Sequence, residues 1–221
     1  MSRTARVVIP EVSLHVVHRG HDGDDCFFDE ADYLAYLEAL RAYAPRLLCS
    51  VHAYCLMTNH VHLLLTPHAP SACAQLMKHL AQRHSRRINA RRGRSGTLWE
   101  GRFYSALVPT ERYALNCYRY IERNPVRPGM VGHPAQYRWS SYAANAGAAV
   151  DGLLTPHAAY LALASDAPRQ AAAYAELCSA PLDPEALEDI RKATRNGYAV
   201  GAERRPRGRQ KRKQKMVTVT I

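Results

Sequence analysis

The amino-acid sequence predicts an α+β fold in which helices pack on an antiparallel sheet. Four apolar segments of strand character occur at residues 13–18, 46–57, 60–66 and 101–108. Longer segments with apolar residues at helical spacing lie between them or follow them. The second and third strands are joined by only "MTN", which favours a hairpin. The order strand, helix, strand, strand, helix, strand, helix is typical of a ferredoxin-like sheet.

The predicted helices are bounded by residues that commonly begin or end helices. Asp29 is a suitable N-cap for the first helix, "EADYLAYLEALRAYA". The second helix is expected to run from Ser71 to near Gly93, because glycine often follows the last helical turn. Thr110 is a suitable N-cap for the third helix, "ERYALNCYRYIERN", which Pro125 must end.

The chain changes character towards its C-terminal end. Residues 1–145 are predicted to form the α+β domain, and residues 146–200 a helical extension. Within this extension, residues 151–190 are Ala-rich and hold seven acidic residues but a single arginine. Residues 201–221 are predicted to be a basic, disordered tail, because eight of the twelve residues 204–215 are Lys or Arg.

The composition indicates which partners and compartments to expect. Thirty Lys and Arg residues against nineteen Asp and Glu give a formal net charge of +11, which predicts a polyanionic partner, most often nucleic acid. Six scattered cysteines without a C-x-x-C pair argue against a zinc ribbon or a disulfide framework and favour the cytoplasm. No apolar stretch approaches the roughly 20 residues of a membrane span, so we expect a soluble protein without a membrane partner.

Two histidines stand at the head of the third predicted strand, in "MTNHVHLLLT". Alternate residues of a strand point to the same face, so His60 and His62 share one side while Val61 lies on the other. Two imidazoles on one face can bind a single metal ion. The same pattern also suits half-buried histidines that are hydrogen-bonded to the backbone, and the spacing alone leaves both interpretations open.

The third predicted helix carries two different stripes at a spacing of three and four residues. The apolar stripe is expected to face the core and consists of Ala114, Cys117, Tyr118 and Ile121. The second stripe is polar and consists of Tyr113, Asn116, Tyr120 and Asn124. A tyrosine beside a cation can attack phosphorus, so Tyr120 is a candidate nucleophile and Asn124 a candidate third metal ligand. Alternatively, Tyr120 is a surface aromatic and Asn124 merely ends the helix.

Four sequence blocks resemble those of REP-associated tyrosine transposases, which belong to the single-tyrosine HUH transposases, an IS200-like group. The blocks occur in the same order and spacing and are "MTNHVHLLL", "SGTLWEGRFYS", "YRYIERNPVRPGMV" and "YRWSSY". The resemblance extends from residue 18 to residue 201 and implies the HUH endonuclease fold. The short connection between "GYAVG" and the basic tail, and the final "MVTVTI", depart from the family pattern.

The resemblance also implies a role for each site residue. His60 and His62 would bind a divalent cation, Asn124 would complete the metal site, and Tyr120 would be the nucleophile. Imidazole ligands in general suit zinc or other transition metals, whereas the resemblance points to Mg²⁺ or Mn²⁺. The implied reaction cleaves and rejoins single-stranded DNA beside a hairpin, through a 5′-phosphotyrosine intermediate. The resemblance further implies a bacterial, nucleoid-associated protein and favours a monomer, with a dimer left open.

Arginines supply the predicted DNA contacts. Arg19 lies in the "HRG" turn, and Arg102 and Arg127 lie within the matching blocks. A further cluster between residues 83 and 94 contains no acidic residue and consists of Arg83, Arg86, Arg87, Arg91, Arg92 and Arg94. Such a cluster would neutralise several phosphates and make binding weaken steeply with salt. The alternative is a solvated basic helix end.

The aromatic residues near "LWEGRFY" are candidates for stacking on DNA bases. Trp99, Phe103 and Tyr104 could stack on bases or belong to the core. For Phe103 and Trp139 the sequence favours the core.

Two other functions compete with a transposase. The first is a non-catalytic protein that binds structured DNA or RNA, in which the histidines would be idle. The second is a metal-dependent nuclease in which a histidine activates water and Tyr120 is incidental. The combination of His60, His62, Tyr120 and Asn124 argues against the first alternative.

Overall fold

A four-stranded antiparallel sheet lies at the centre of the computed structural model, which describes residues 6–201. Its strands are β1 (Ser13–Arg19), β2 (Cys49–Leu56), β3 (His60–Pro67) and β4 (Tyr104–Val108). They lie side by side in the order β2-β3-β1-β4, with every neighbouring pair antiparallel. The predicted hairpin joins β2 to β3, and the predicted ferredoxin-like α+β fold is confirmed.

Two helices, α1 (Glu30–Tyr43) and α2 (Ala72–Arg92), cover one face of the sheet. That face presents alternate strand residues, including Leu14 of β1 and Leu63 of β3, both fully buried. Each such leucine contributes roughly 1.5–3 kcal/mol through burial. The predicted caps are present: the Asp29 side chain accepts a hydrogen bond from a backbone N–H of α1, and Gly93 adopts the left-handed conformation after α2.

The second face is covered by α3 (Glu111–Glu122) and by the C-terminal helices. These are α4 (Tyr142–Asn145), α5 (Ala158–Leu161), α6 (Ala167–Ser179) and α7 (Pro184–Asn196). Thr110 caps α3 as predicted, because its hydroxyl accepts a hydrogen bond from the backbone N–H of Tyr113. The four residues of the predicted apolar stripe on α3 are all fully buried. The helical extension therefore shares a core with the sheet.

The fourth strand is shorter than the sequence predicts. It begins at Tyr104, because the preceding carbonyls are bonded to side chains rather than to β1. The Gly101 carbonyl accepts a hydrogen bond from His18 Nε2, and the Phe103 carbonyl accepts from the Arg6 guanidinium. Residues 101–103 consequently lie at the rim of the sheet.

A buried carboxylate ties α3 to the C-terminal helices. Glu122 is completely buried and accepts hydrogen bonds from Ser141, Asn145 and Tyr174 at 2.5, 2.7 and 2.5 Å. Burial raises the pKa of Glu122 to about 7, while these three hydrogen bonds act in the opposite direction. Ser141 also accepts a hydrogen bond from the backbone N–H of Tyr54 in β2. The "YRWSSY" block thus joins the sheet, α3 and α6.

All six cysteines are buried, and none forms a disulfide in the described part of the chain. Among residues 6–201, no helix has the length and apolar character that crossing a membrane requires. The predicted basic tail, apart from Gly201, lies outside the described residues.

Candidate active site

The register of the sheet brings the two histidines of β3 to the same face, as their alternation predicts. His60 pairs with Arg19 of β1, and His62 pairs with Val17. The His60 and His62 ring centroids are 4.9 Å apart, with the ring planes at 80°. Both rings lie beneath α3, on the face opposite to α1 and α2.

Burial keeps both imidazoles neutral. Burial, together with the nearby charge of Arg19, lowers the pKa of His60 to about 4, although a hydrogen bond with Asn124 acts in the opposite direction. Burial also holds the pKa of His62 well below its usual value, with the neighbouring His60 and His15 adding to the effect. A neutral imidazole nitrogen is the form that binds a metal ion. The rings are therefore in the protonation state that a ligand needs.

Each ring is oriented through its Nδ1 atom. His60 Nδ1 lies 2.6 Å from the Asn59 side-chain oxygen, and His62 Nδ1 lies 2.9 Å from His15 Nε2. His62 Nε2 has no hydrogen-bond partner among residues 6–201. Metal-binding histidines commonly use one nitrogen for such an orienting bond and the other for the ion.

Tyr120 on α3 and Asn124 just after this helix both lie next to the two histidines. The Tyr120 ring meets the His15 and His62 rings edge-on, with centroids 5.3 and 5.6 Å apart. Tyr120 is 7% exposed, which excludes the surface-aromatic interpretation. Asn124 follows the end of α3 in a tighter turn and is 6% exposed. Tyr118 is fully buried in the same apolar cluster, as predicted, and does not line the cavity that Tyr120 lines.

These residues line one cavity of about 740 Å³. Six of the residues predicted for catalysis, metal binding or phosphate contact line its wall: Arg19, His60, His62, Tyr120, Asn124 and Arg127. The Arg127 guanidinium lies 4.1 Å from the Tyr120 ring centroid and donates a hydrogen bond to the Tyr120 carbonyl. The cavity therefore unites a phenol, two neutral imidazoles, an amide and fixed positive charge.

The structure adds residues that the sequence analysis missed. From α7, Arg191, Thr194 and Arg195 line the cavity, and His15 lines it from β1. The arginines give the cavity a positive wall that suits phosphate. His15 lies two residues before Val17, so strand alternation would have placed it on the His62 face had the pairing of β1 with β3 been known.

A second cavity of about 260 Å³ continues from the first and contains Arg102. The two cavities share Arg19, Glu100, Tyr104, Thr194 and Arg195. Tyr104 is 37% exposed at this junction, whereas Trp99 and Phe103 are buried. Trp99 stacks on His18, and the half-buried Trp139 stacks on Tyr33. Of the aromatic residues considered for stacking, Tyr104 lines both cavities and is the most exposed, whereas Phe103 lines only the second cavity and is buried.

The arginines predicted between residues 83 and 94 lie elsewhere, on or next to α2 over the opposite face of the sheet. None of them lines either cavity in the described region. Arg91 forms ion pairs with Asp29 and Asp32 at 2.8 and 2.5 Å, and Arg87 lies 3.7 Å from Asp32. The segment has no acidic residue of its own, but the fold supplies two from α1 and its N-cap. DNA binding by this cluster stays a prediction.

The donor set at the two histidines fits a divalent cation. No group of three or more His, Cys, Asp or Glu residues with metal-binding geometry occurs in the described ranges. A cation would instead be held by two neutral imidazoles and by the carbonyl oxygen of the Asn124 side chain, and this side chain already lies against His60. Open coordination positions would remain for oxygen atoms of a substrate.

Comparison with known proteins identifies the family. The family model "Transposase IS200 like" matches residues 9–124, which include both histidines, Tyr120 and Asn124. The chain belongs to the IS200-like transposase family. None of the curated proteins matches it.

One solved structure shares the fold of this chain, and a second one is similar over a shorter part of it. A REP-associated tyrosine transposase bound to a REP hairpin is similar with a TM-score of 0.55 and 15% identity, and the match covers 72% of this chain and 96% of that one. A putative transposase from Deinococcus radiodurans R1 matches with a TM-score of 0.38 and 22% identity, over 55% of this chain and 97% of that one. The predicted IS200-like family is confirmed by the family model, and the first of these structures shows the same fold.

The family match ends at Asn124, just after α3. The α7 residues Arg191, Thr194 and Arg195 lie beyond it, yet they line the same cavity. In this IS200-like transposase family member, the helical extension therefore contributes to the wall of the candidate active site.

Proposed function

We propose that this protein is a metal-dependent transposase that cleaves and rejoins single-stranded DNA. The observation that carries the proposal is the edge-on contact of Tyr120 with His62, in a cavity that also holds His60 and Asn124. A phenol, two neutral imidazoles and an amide are the groups that a tyrosine nucleophile and a divalent cation require. Family membership and the fold support the same function.

In the proposed reaction, the Tyr120 oxygen attacks the scissile phosphorus. The new bond joins phosphorus to the phenolic oxygen, and the bond from phosphorus to the 3′-oxygen breaks. The phenol releases one proton and the 3′-oxygen takes one up, so the products are a 5′-phosphotyrosine and a 3′-hydroxyl. Because one phosphodiester replaces another, the step is close to balanced and can be reversed to join strands.

His60, His62 and Asn124 would hold Mg²⁺ or Mn²⁺, which neutralises charge on the non-bridging phosphate oxygens. Two arginine side chains of the protein would neutralise further phosphate charge. Arg127 is fixed against the Tyr120 ring, and Arg19 lies directly across from His60 in the sheet. In this proposal, both guanidinium groups would bind phosphates beside the scissile one.

We further propose that the substrate is an unpaired DNA strand next to a hairpin. The two joined cavities form a basic groove with Tyr104 at their junction, which suits a phosphate backbone with one stacked base. The similar solved structure is bound to a REP hairpin. Tyr120 lines the same cavity as His60, His62 and Asn124 of its own chain, which supports a monomer. We propose that it acts on DNA in the bacterial cytoplasm.

A covalent-adduct assay tests the proposal. The protein is incubated with a labelled single-stranded hairpin oligonucleotide and Mn²⁺ and then run on a denaturing gel. We expect a protein–DNA band that is lost in Tyr120→Phe. Tyr113→Phe is the matched control, because Tyr113 lies on α3 but does not line the cavity at the histidines; it should keep the band.

Other results of this assay would overturn the proposal in distinct ways. Cleavage without an adduct would indicate a hydrolytic nuclease. A band shift on a native gel without cleavage or adduct would indicate a binding protein.

A further inference from the structure

A continuous line of hydrogen bonds connects α7 to the metal-binding face of β3. Thr194 Oγ1 lies 2.8 Å from His15 Nδ1, and His15 Nε2 lies 2.9 Å from His62 Nδ1. Thr194 Oγ1 also lies 2.8 Å from the Ile190 carbonyl, one turn earlier in α7. Thr194, His15 and His62 are all buried, with exposures of 6, 1 and 3%. The line therefore runs through the interior.

The hydrogen bond between Thr194 and the Ile190 carbonyl determines which atom donates in each of the other two hydrogen bonds. A carbonyl oxygen only accepts, so the single Thr194 hydroxyl proton points to Ile190. The Thr194 oxygen must then accept from His15, which places a proton on His15 Nδ1. In a neutral imidazole with a proton on Nδ1, the Nε2 atom is an acceptor. His62 must consequently donate from Nδ1 to His15, and the lone pair of His62 is on Nε2.

We propose that Thr194 and His15 are positioning residues that select the metal-binding tautomer of His62. This inference rests on the proposed function. With the proton on Nδ1, His62 offers its Nε2 lone pair to a divalent cation. The opposite direction of the line would place a proton on Nε2, where it would block the cation. A hydroxyl on the C-terminal extension thus determines whether β3 can bind the ion.

The left-handed end of α7 and one backbone hydrogen bond hold this helix in place for its role. The helix ends at Gly197, whose positive φ of 71° closes the last turn, and the Val200 N–H then bonds to the Leu107 carbonyl of β4. These contacts keep α7 against the strand next to β1, from which His15 projects. The position of the Thr194 oxygen is therefore fixed relative to the sheet.

The test compares Thr194→Val with Thr194→Ser in the full-length protein. Valine keeps the shape but removes the hydroxyl, whereas serine keeps the hydroxyl. The measurements are the imidazole ¹⁵N chemical shifts without metal and the affinity for Mn²⁺ alone. We expect wild type and Thr194→Ser to carry the His62 proton on Nδ1. Thr194→Val should shift this proton towards Nε2 and bind Mn²⁺ about 10- to 100-fold more weakly.

Two results would overturn the proposal. The first is the finding that His62 carries its proton on Nε2 in the wild-type protein, and this measurement requires no variant. The second is the finding that Thr194→Val is folded, keeps the wild-type tautomer of His62 and binds Mn²⁺ within about twofold of the wild-type affinity. Loss of an orienting residue should weaken metal binding by more than this. Circular dichroism establishes that each variant is folded.

The adduct assay separates this inference from the proposed function. If wild type has the expected tautomer and binds Mn²⁺ but forms no adduct, the positioning role holds and the tyrosine mechanism is wrong. If wild type forms the adduct with the other tautomer, the mechanism holds and the positioning role is wrong.

Discussion

Replacing the buried Glu122 by glutamine is expected to change how stability depends on pH. The carboxylate lies in the core with a pKa raised from 4.5 to about 7. Its burial therefore favours the protonated form. The contribution of Glu122 to the free energy of unfolding is fully present below about pH 4.5, where the folded and unfolded chains are both protonated at this residue. This contribution is lost as the pH rises through about 7.

The size of the pKa shift of Glu122 gives the size of the expected change in the free energy of unfolding. At about 1.4 kcal/mol per pKa unit, the rise to about 7 corresponds to about 3 kcal/mol in the free energy of unfolding. Between about pH 5 and about pH 8 the wild type should lose most of this amount. Glutamine has no proton to lose and retains an oxygen that can accept from Ser141 or Asn145. Glu122→Gln should therefore gain about 2–3 kcal/mol relative to wild type over the same interval.

Urea unfolding followed by circular dichroism at the two pH values measures this difference. The other titrating groups, including the buried histidines, are common to both proteins and cancel in the comparison. Glu38→Gln is the matched control, because Glu38 lies at an exposed position of α1. A stability difference between Glu122→Gln and wild type that is the same at both pH values would refute the reasoning.

Three further predictions concern DNA binding and the two arginine groups. Tyr104→Ala should weaken binding of single-stranded DNA about 5- to 150-fold, from a stacking contribution of about 1–3 kcal/mol, whereas Tyr104→Phe should bind like wild type in a fluorescence titration. Arg195→Gln should reduce the slope of log affinity against log salt by about 0.7, and an unchanged slope would remove Arg195 from the phosphate contacts. Arg91→Gln, which breaks the pairs with Asp29 and Asp32, should lower the melting temperature and leave that slope unchanged; a smaller slope would instead support the predicted DNA role of α2.

The parts of the site that depend on local spacing could be predicted from the sequence. Strand alternation places His60 and His62 on one face, and helical spacing separates Tyr120 from the core residue Tyr118. Both regularities hold over a few residues and do not depend on the rest of the chain. Asn124 follows from the same helical spacing, one turn after Tyr120.

The parts that depend on tertiary pairing could not be predicted. His15 contacts His62 only because β1 pairs with β3 in one register, and Thr194 reaches His15 only because α7 packs against β4. The ion pair of Arg91 with Asp32 joins two helices that the sequence treats separately. In each case the partners lie far apart in the chain, so no short pattern contains both of them.

The register of β1 makes the core and the candidate active site depend on each other. Leu14 and Val16 point into the core with α1 and α2, while His15 and Arg19 point to the opposite face. A shift of one residue would exchange the two sets, placing leucine at the cavity and a histidine in the apolar core. Because such a shift would expose apolar surface, the packing of α1 and α2 enforces the register. The same apolar contacts that stabilise the sheet therefore hold His15 within hydrogen-bond distance of His62.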